Sequence, residues 1–378
     1  MKRIVQLLIV VIVLVGIQSV SHASWLESSL YERDDGGYFT LEDETGRVIT
    51  YTARILDIGD SYIAADNQRY EVVDIQGDTI KVEAREKITL PDLSQLTAAA
   101  KPSIWERLFG AAGTTQKNDD EGREWNTIGI YHTHNAESYV PTSGVDSETE
   151  GDIMQVGKAL ADALNKLGYN AVWSDNSHLP HDGEAYTRSR RTAIELMKHK
   201  PGTLIDVHRD ATPPEVYETE IDGQPTTKVR IVVGRQNENR DMTLEYAKRI
   251  KAVADEKYPG IIEGIFDARG NYNQDLGPRM ILLEFGAHTN PLELAEQAAQ
   301  FFAEIIPAAA GLSSEQAAEQ EAKQTSPTAL RSILWILGIA ALVVVGYLVI
   351  NKEGLGSITS FFRREFAGEQ PSDDQEDE

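Results

Sequence analysis

The chain has 378 residues, with 36 Lys and Arg against 60 Asp and Glu, so its formal net charge is -24 at pH 7. This charge argues against nucleic acid as a partner, because a phosphate-binding surface needs clustered basic residues. The chain contains no cysteine. A disulfide framework and a thiolate zinc site are therefore excluded, and any metal ion must be held by His and carboxylate side chains.

The first predicted element, residues 1–23, is typical of a secretion signal. Lys2 and Arg3 precede an apolar stretch over residues 4–17, and a Ser-His-Ala run follows at 21–23. This order of basic start, short apolar core and small residues before a cut is that of a signal peptide. Left uncut, the same segment would serve as an N-terminal anchor.

Residues 24–90 are predicted to form a small β-rich domain, either a barrel or a sandwich. Residues 47–54 and 70–73 are rich in β-branched and aromatic side chains, and Asp-Gly, Gly-Asp and Asn turns separate such runs. No catalytic constellation is recognisable in this segment. Residues 91–123, with a Lys-Pro step, a Gly-rich stretch and an acidic run, are predicted to be a linker.

Residues 124–312 are predicted to form an α/β catalytic domain, with a mostly parallel sheet and helices on both faces. Short apolar runs that predict strands alternate with amphipathic stretches that predict helices. The predicted strands are 126–131, 170–173, 203–207, 228–233 and 280–283, and the predicted helices are 153–167, 186–198, 242–256 and 292–306. Such alternation favours a sheet covered on both faces, and functional groups then collect beyond the carboxyl ends of the strands.

The C-terminal part of the sequence predicts a membrane anchor. Residues 313–331 are polar and predict a stalk, whereas residues 332–350 carry no charge and are long enough to cross a bilayer as one helix. Arg363 and Arg364 follow that helix, so the acidic tail at 351–378 is expected inside the cell. The predicted location is the cell membrane, with the catalytic domain on the extracytoplasmic side.

Polar residues directly follow three of the predicted strands. His134 and Glu137 come after the first strand, His208 after a later one and Glu284 after the last. Two His and one carboxylate with an open fourth position are the usual ligand set of a catalytic zinc ion, and a further carboxylate can act as a base toward the bound water. An acidic group that closes an apolar strand is costly to bury unless it is paired or functional. The alternative role for Glu284 is therefore a salt bridge, with Arg279 as a candidate partner.

The other histidines have simpler explanations. A lone His at a strand end is more often a capping or hydrogen-bonding residue. His178 and His181 form a rival metal pair, but they lie in a loop rich in Pro, Gly and Asp, where we expect them to shape the cleft. His199 lies at a predicted helix end among lysines, where a solvated cap accounts for it.

Several motifs resemble the stage II sporulation protein P family, which is related to zinc N-acetylmuramoyl-L-alanine amidases. The motifs are Tyr-His-Thr-His-Asn-Ala-Glu-Ser-Tyr from Tyr131, Tyr-Thr-Arg-Ser-Arg from Tyr186, Ile-Asp-Val-His-Arg-Asp-Ala from Ile205, Leu-Leu-Glu-Phe-Gly from Leu282 and Thr-Asn from Thr289. Residues 37–44 also resemble that family's upstream region. The resemblance covers most of the chain and keeps the family's motif order, so it implies an amidase-like catalytic domain.

The resemblance implies roles for individual residues. His134 and His208 match the zinc-binding histidines of the amidases, and Glu284 matches the catalytic Glu that accepts a proton from water and passes it to the departing amine. The tetrahedral oxyanion is then stabilised by the metal, with help from Arg279 or Arg209.

The acidic zinc ligand is less directly indicated. The amidases take it from near the start of the next helix, where this chain offers Glu150 or Asp152. Glu137 is nearer in sequence to the first His, and we prefer it.

The implied activity is hydrolysis of the bond between the lactyl group of N-acetylmuramic acid and L-Ala in peptidoglycan, with Zn²⁺ as cofactor. A second cut within peptide cross-links and cooperation with a lytic transglycosylase resembling stage II sporulation protein D are also implied, in septal wall remodelling during sporulation. The strong C-terminal transmembrane segment departs from the N-terminal anchor usual in the family, so a vegetative role stays open. Two rival functions are a zinc peptidase or carboxypeptidase and a non-catalytic wall-binding module. Retention of both His ligands and of Glu284 argues against the second.

Overall fold

The computed structural model describes residues 31–33, 35–93 and 126–312. Within these ranges, no helix is long and apolar enough to cross a membrane. The predicted signal segment, most of the predicted linker, the stalk, the transmembrane helix and the acidic tail lie outside the described residues. Those assignments stay predictions.

The described residues form thirteen strands, five α-helices and two 3₁₀ turns. The strands are β1 (Phe39–Glu42), β2 (Val48–Thr52), β3 (Ser61–Ala64), β4 (Gln68–Gln76), β5 (Thr79–Lys87), β6 (Thr127–Tyr131), β7 (Asn170–Trp173), β8 (Thr203–Asp210), β9 (Glu218–Ile221), β10 (Gln224–Thr227), β11 (Val229–Gly234), β12 (Ile262–Ala268) and β13 (Met280–Ala287). The helices are α1 (Val140–Ser143), α2 (Ile153–Lys166), α3 (Ala185–Met197), α4 (Arg240–Lys257) and α5 (Leu292–Ala310), and the 3₁₀ turns are Pro214–Val216 and Gln274–Leu276.

Eleven of the strands form one mixed sheet, in the order β2-β1-β5-β4-β3-β12-β11-β13-β8-β6-β7. Its catalytic half is mostly parallel: β7, β6, β8 and β13 run side by side in one direction. Strand β11 runs antiparallel to β13 and parallel to β12. Because β6, β8 and β13 are parallel neighbours, their carboxyl ends meet at one edge of the sheet. That edge carries the polar motifs found in the sequence.

Helices cover both faces of the catalytic half, as the alternating pattern predicts. On one face α2, α4 and α5 share a core with the alternate strand residues Ile130, Ile205 and Ile281. On the opposite face, α3 packs against Tyr131 and Leu204, the other set of alternating positions. Successive side chains of each strand thus point to opposite faces of the sheet and pack into two different cores.

Helix α2 shows why the helices form where they do. Its buried residues recur at helical spacing, and they are Ile153, Val156, Gly157, Leu160, Ala161 and Leu164. Such a stripe favours an amphipathic helix laid on an apolar sheet. Leu160 is completely buried, so Leu160→Ala would cost about 2–5 kcal/mol of folding free energy.

The β-rich segment is not the separate barrel or sandwich that its sequence pattern suggested. Strand β3 pairs antiparallel with β12, so β1 to β5 continue the sheet of the catalytic half. Phe266 of β12 also joins the apolar core of the segment, with Tyr62 against its ring. The pairing covers what would otherwise be an open edge of β12. Strand β12 itself was missed from the sequence, because Glu263, Gly264 and Asp267 interrupt its apolar run.

Candidate functional site

The first histidine after β6 is a structural residue. Nδ1 of His132 donates a hydrogen bond of 3.1 Å to the carbonyl of Val207, and Nε2 accepts one of 3.0 Å from the Trp173 indole. Burial lowers the pKa of His132 to about 4, so the ring is neutral. The ring lies against Gly157 of α2, where a Cβ atom would be 2.3 Å from it. Both nitrogens of His132 are therefore used within the protein.

The next polar residues form a cluster, which we call the metal-donor cluster: His134, Glu137 and His208. The Oε1 atom of Glu137 lies 3.3 Å from Nδ1 of His134 and 3.3 Å from Nδ1 of His208. All three side chains are buried, and the rings of the two histidines are 5.0 Å apart between centroids. The ends of β6 and β8 thus bring together residues that are far apart in sequence.

The metal-donor cluster fits a divalent metal ion. Neither ring nitrogen of His134 makes a hydrogen bond with any described residue, although both nitrogens are buried. Leaving a buried polar atom in that state costs about 1–3 kcal/mol. Two imidazoles and a carboxylate are the donors that zinc takes in catalytic sites. That a metal binds here stays a prediction.

A second carboxylate supports His208. Oδ1 of Asp206 lies 3.0 Å from Nε2 of His208, off the ideal hydrogen-bond direction. Asp206 also accepts hydrogen bonds from the Thr133 backbone amide at 2.8 Å and from its hydroxyl at 2.6 Å. Burial alone would lower the pKa of His208, but the carboxylates of Asp206 and Glu137 raise it well above its ordinary value. A carboxylate behind a ligand His commonly fixes its tautomer and orientation.

His181 lies at the mouth of the cluster. One potential donor atom each from His134, Glu137 and His181 lies within 4.8 Å of the others, and the rings of His181 and His134 are 4.4 Å apart. From the sequence, His178 and His181 are a rival metal pair that we expect to shape the cleft. His178 is buried and does not line the cavity beside the cluster; its ring nitrogens contact the carbonyl of His132 and the hydroxyl of Thr192. His181, and not His208, completes the set of donor atoms that lie within 4.8 Å of one another, so His181 is a candidate ligand alongside His208.

The alternative acidic ligands lie elsewhere. The Asp152 carboxylate, just before α2, accepts hydrogen bonds from the Tyr139 amide at 3.1 Å and the Ser143 hydroxyl at 2.5 Å. Glu150 is exposed. Glu137 is fully buried between the two histidines, so the geometry favours it over both alternatives.

Glu284 lies next to His208 on the adjacent strand. The two residues are direct partners in the β13–β8 register. The Glu284 carboxylate is 2% exposed and accepts hydrogen bonds from Arg54 at 2.5 Å and from the Tyr217 hydroxyl at 3.2 Å. Burial and the charge of Asp210 raise its pKa to about 7, while Arg54 and Arg230 oppose the rise. A carboxyl group with a pKa near 7 is suited to move a proton at neutral pH.

The predicted role of Arg279 is wrong. Arg279 precedes β13, five residues before Glu284, so the two are about 16 Å apart along the strand. Its guanidinium donates to the carbonyl of Ala310 at 2.9 Å, at the end of the sheet away from the metal-donor cluster. The salt bridge considered for Glu284 does exist, but its partner is Arg54.

Arg54 is a partner of Glu284 that the sequence did not reveal. It follows β2 in the segment where no catalytic constellation was recognised, and it is buried. Besides Glu284, it donates to Glu32 at 3.1 Å and to the Tyr272 hydroxyl at 2.9 Å. The cost of burying an unpaired charge, which pointed to Glu284, applies equally to Arg54 after the β-branched run of β2.

A network of buried charges extends from Glu284. We call it the arginine–carboxylate cluster: Arg54, Asp210, Arg230, Glu263 and Glu284. Arg230 is fully buried, donates to Glu263 at 2.6 Å and to Asp210, and lies 3.9 Å from Glu284. Its register partner on β13 is Glu284, so Arg230, Glu284 and His208 lie in one row across three strands.

A cavity of about 310 Å³ opens beside the metal-donor cluster. It is lined by residues from both halves of the sheet, namely Tyr31, Glu32, Arg33, Gly36, His134, Asp146, Ser147, His181, Asp182, Gly183, Tyr186, Arg209 and Ala211. Because His134 and His181 both line it, a ligand in this cavity would contact the cluster directly.

Among solved structures, this chain is similar to several N-acetylmuramoyl-L-alanine amidases. Ami1 from Mycobacterium smegmatis shares 15% identity at a TM-score of 0.34, covering 48% of this chain and 94% of Ami1. AmiC2 of Nostoc punctiforme shares 18% sequence identity at a TM-score of 0.34, and the match covers 49% of this chain and 97% of AmiC2. The CwlD amidase from Clostridioides difficile, solved in complex with the lipoprotein GerS, shares 13% sequence identity at a TM-score of 0.35. The match covers 49% of this chain and 95% of CwlD. Similarity at this level assigns no activity to this chain.

Sequence comparison gives a closer relationship. Stage II sporulation protein P of Bacillus subtilis (strain 168) is 32% identical over 199 residues, which are 47% of this chain. The match spans about half of that relative's length, 49%. A sequence model of the stage II sporulation protein P family matches residues 61–307, which include β3, the metal-donor cluster and Glu284. Since that match takes in well over half of the sequence, the chain belongs to the stage II sporulation protein P (SpoIIP) family.

Proposed function

We propose that this protein is a zinc-dependent N-acetylmuramoyl-L-alanine amidase that cuts the stem peptide from the glycan of peptidoglycan. The observation that carries the proposal is the metal-donor cluster with a proton-accepting carboxylate on the next strand. Glu137 lies 3.3 Å from Nδ1 of both His134 and His208, and Glu284 is the register partner of His208. Membership of the SpoIIP family supports the same reaction.

His134, Glu137 and His208 would hold the zinc ion. When bound there, zinc polarises a scissile carbonyl and lowers the pKa of a water molecule. Asp206 keeps the His208 ring oriented through the 3.0 Å contact to Nε2, which leaves Nδ1 facing Glu137. His181 borders the same cavity, is more exposed than the other three donors, and would be an additional donor to the ion.

Glu284 moves the proton. In hydrolysis the water oxygen bonds to the amide carbon, the C–N bond breaks and one water proton ends on the amine of L-Ala. Glu284 accepts that proton and passes it to the leaving nitrogen. Its pKa of about 7 lets it do both near neutral pH. Arg54, at 2.5 Å, holds the carboxylate in place.

The test is digestion of purified sacculi by the metal-analysed full chain, with and without a chelator. We expect about one zinc per chain and release of intact stem peptides, both lost on chelation. The Glu284→Gln chain is the matched control, because it should keep zinc and release nothing. Stems that are only shortened at their ends would identify a carboxypeptidase and overturn the proposal.

We further propose that the chain is anchored in the cell membrane with the catalytic domain outside, acts in septal wall remodelling during sporulation and works beside a lytic transglycosylase. Cleavage of peptide cross-links is a second expected activity. Protease added to wall-stripped cells should remove the catalytic domain and spare a tag placed after Glu378. Protection of the domain would place it in the cytoplasm, away from its substrate.

A further inference from the structure

Arg209 is a buried cation that faces the cavity beside the metal-donor cluster. It directly follows His208 on β8, and its backbone amide donates to Oε2 of Glu137 at 3.0 Å. The side chain is only 6% exposed, yet it lines the cavity together with His134 and His181. Arg209 therefore reaches the place where a substrate would lie against the metal donors.

The guanidinium of Arg209 has partners on one side only. Nη2 donates to the carbonyl of Asp146 at 2.8 Å, and Nε approaches the carbonyl of Ser138 at 3.4 Å. Nη1 makes no hydrogen bond with any residue that the structure describes, and within that part of the chain no carboxylate forms an ion pair with Arg209. Burying a charge without a counter-ion is costly, so a ligand anion at Nη1 would be favourable.

Arg33 shows the contrast, because it lines the same cavity but is already neutralised. It donates to Asp35 at 2.8 Å and to Asp78 at 2.6 Å. Two acidic residues of the lining are also paired, Glu32 with Arg54 and Asp182 with Arg188. Arg209 is thus the position where a carboxylate of the ligand can be bound.

We propose that Arg209 binds a carboxylate of the peptide stem and so makes the site selective for stems whose second residue carries one. This inference rests on the proposed function, since it supplies the ligand. The glycan itself is uncharged at this point, whereas the second stem residue, D-isoglutamate, has an α-carboxylate that some walls carry as a carboxamide. Nη1 presents two N–H groups, and a carboxylate satisfies them better than a carboxamide does.

The test compares two N-acetylmuramoyl tripeptides that differ only in that group, α-carboxylate or carboxamide. Calorimetric binding to the zinc-loaded, full-length Glu284→Gln protein measures affinity without turnover. We expect the carboxylate form to bind about 10–100-fold more tightly, the range for hydrogen bonds to charged groups. Adding Arg209→Met should abolish the difference at unchanged zinc content, and Arg209→Lys should keep part of it. Arg191→Met, an exposed arginine on α3 outside the cavity, is the control and should change nothing.

Equal binding of the two tripeptides, including no measurable binding of either, overturns the proposal, as does a preference that survives Arg209→Met. If Arg209→Met does not fold, the comparison of the Glu284→Gln protein with and without Arg209→Lys decides the question. Cleavage by the chain with Glu284 intact is scored separately. Selective binding without cleavage would contradict the amidase function and leave the carboxylate site standing. An equal fall in kcat for both tripeptides with unchanged binding would assign Arg209 to oxyanion stabilisation instead.

Discussion

Two buried polar clusters meet at the carboxyl edge of the sheet, and they differ in whether their polar atoms have partners within the protein. In the metal-donor cluster, both ring nitrogens of His134 lack hydrogen-bond partners among the described residues. In the arginine–carboxylate cluster, Glu284, Asp210 and Glu263 each contact an arginine. Equal burial therefore serves different purposes. In the proposed mechanism, the first cluster receives a cation, and the second keeps its charges paired while one carboxyl group exchanges a proton.

The largest effect should come from breaking the metal-donor cluster. We expect His208→Ala and Glu137→Ala to lose zinc and all amidase activity, because each leaves only two buried donors beside the exposed His181, too few for tight binding. Metal analysis and sacculus digestion measure both losses. Glu150→Ala and His199→Ala are the matched controls, since both residues are exposed. Zinc loss in Glu150→Ala with retention in Glu137→Ala would make Glu150, and not Glu137, the acidic zinc ligand.

Glu284→Gln tests whether the second cluster does the proton transfer. The amide keeps the shape of the carboxylate but cannot accept a proton, so turnover should fall by about a hundredfold or more. Zinc content should stay at the wild-type level. Loss of zinc in this variant would make Glu284 a metal ligand and merge the two clusters into one.

The pH profile sharpens the same comparison. Glu284 acts as a base only when deprotonated, and its pKa is raised to about 7. We therefore expect kcat/KM to increase as the pH rises through about 7. Arg54 lowers that pKa by its charge, so Arg54→Met should move the rise to higher pH. If the pH profile of Arg54→Met is not shifted, Arg54 does not control the pKa of the group that transfers the proton.

Arg54→Met should also destabilise the fold. It leaves Glu284 and Glu32 buried without their cation, and breaking a buried ion pair typically costs about 3–5 kcal/mol. Urea unfolding of the variant measures the change. Arg85→Met is the control on β5, because Arg85 pairs with Glu71 and Glu83 near the surface. Surface pairs contribute about 0–1 kcal/mol, and a similar small loss for Arg54→Met would contradict the buried network.

His181→Ala should have the smallest effect on zinc binding among these variants. His181 borders the metal-donor cluster but is exposed, so we expect zinc affinity to fall by about tenfold, as for residues that support a site from outside. A competition titration with a chromophoric chelator measures this. A loss as large as that of His208→Ala would make His181 an essential ligand.

The sequence predicted the first cluster better than the second for a physical reason. His134 and Glu137 lie in the turn after one apolar strand run and His208 directly follows another, and parallel strands bring such ends together whatever the details of the fold. The helices were found by the same local periodicity. Arg54, by contrast, reaches Glu284 only because β3 pairs with β12, and no local pattern specifies a pairing between residues some two hundred positions apart. Arg279 is near Glu284 in sequence, but a strand places residues five apart about 16 Å from each other.

The pairing of β3 with β12 has a consequence for the order in which the protein can become active. A ribosome makes Arg54 early and Glu284 late, and β12 at Ile262–Ala268 emerges between them. A chain released before that point has no partner for its N-terminal strands and no carboxylate for Arg54 to hold. Long-range strand pairing of this kind is also slow to form. The proposed wall-cutting activity is therefore withheld from nascent and truncated chains, and only the finished molecule assembles the whole site.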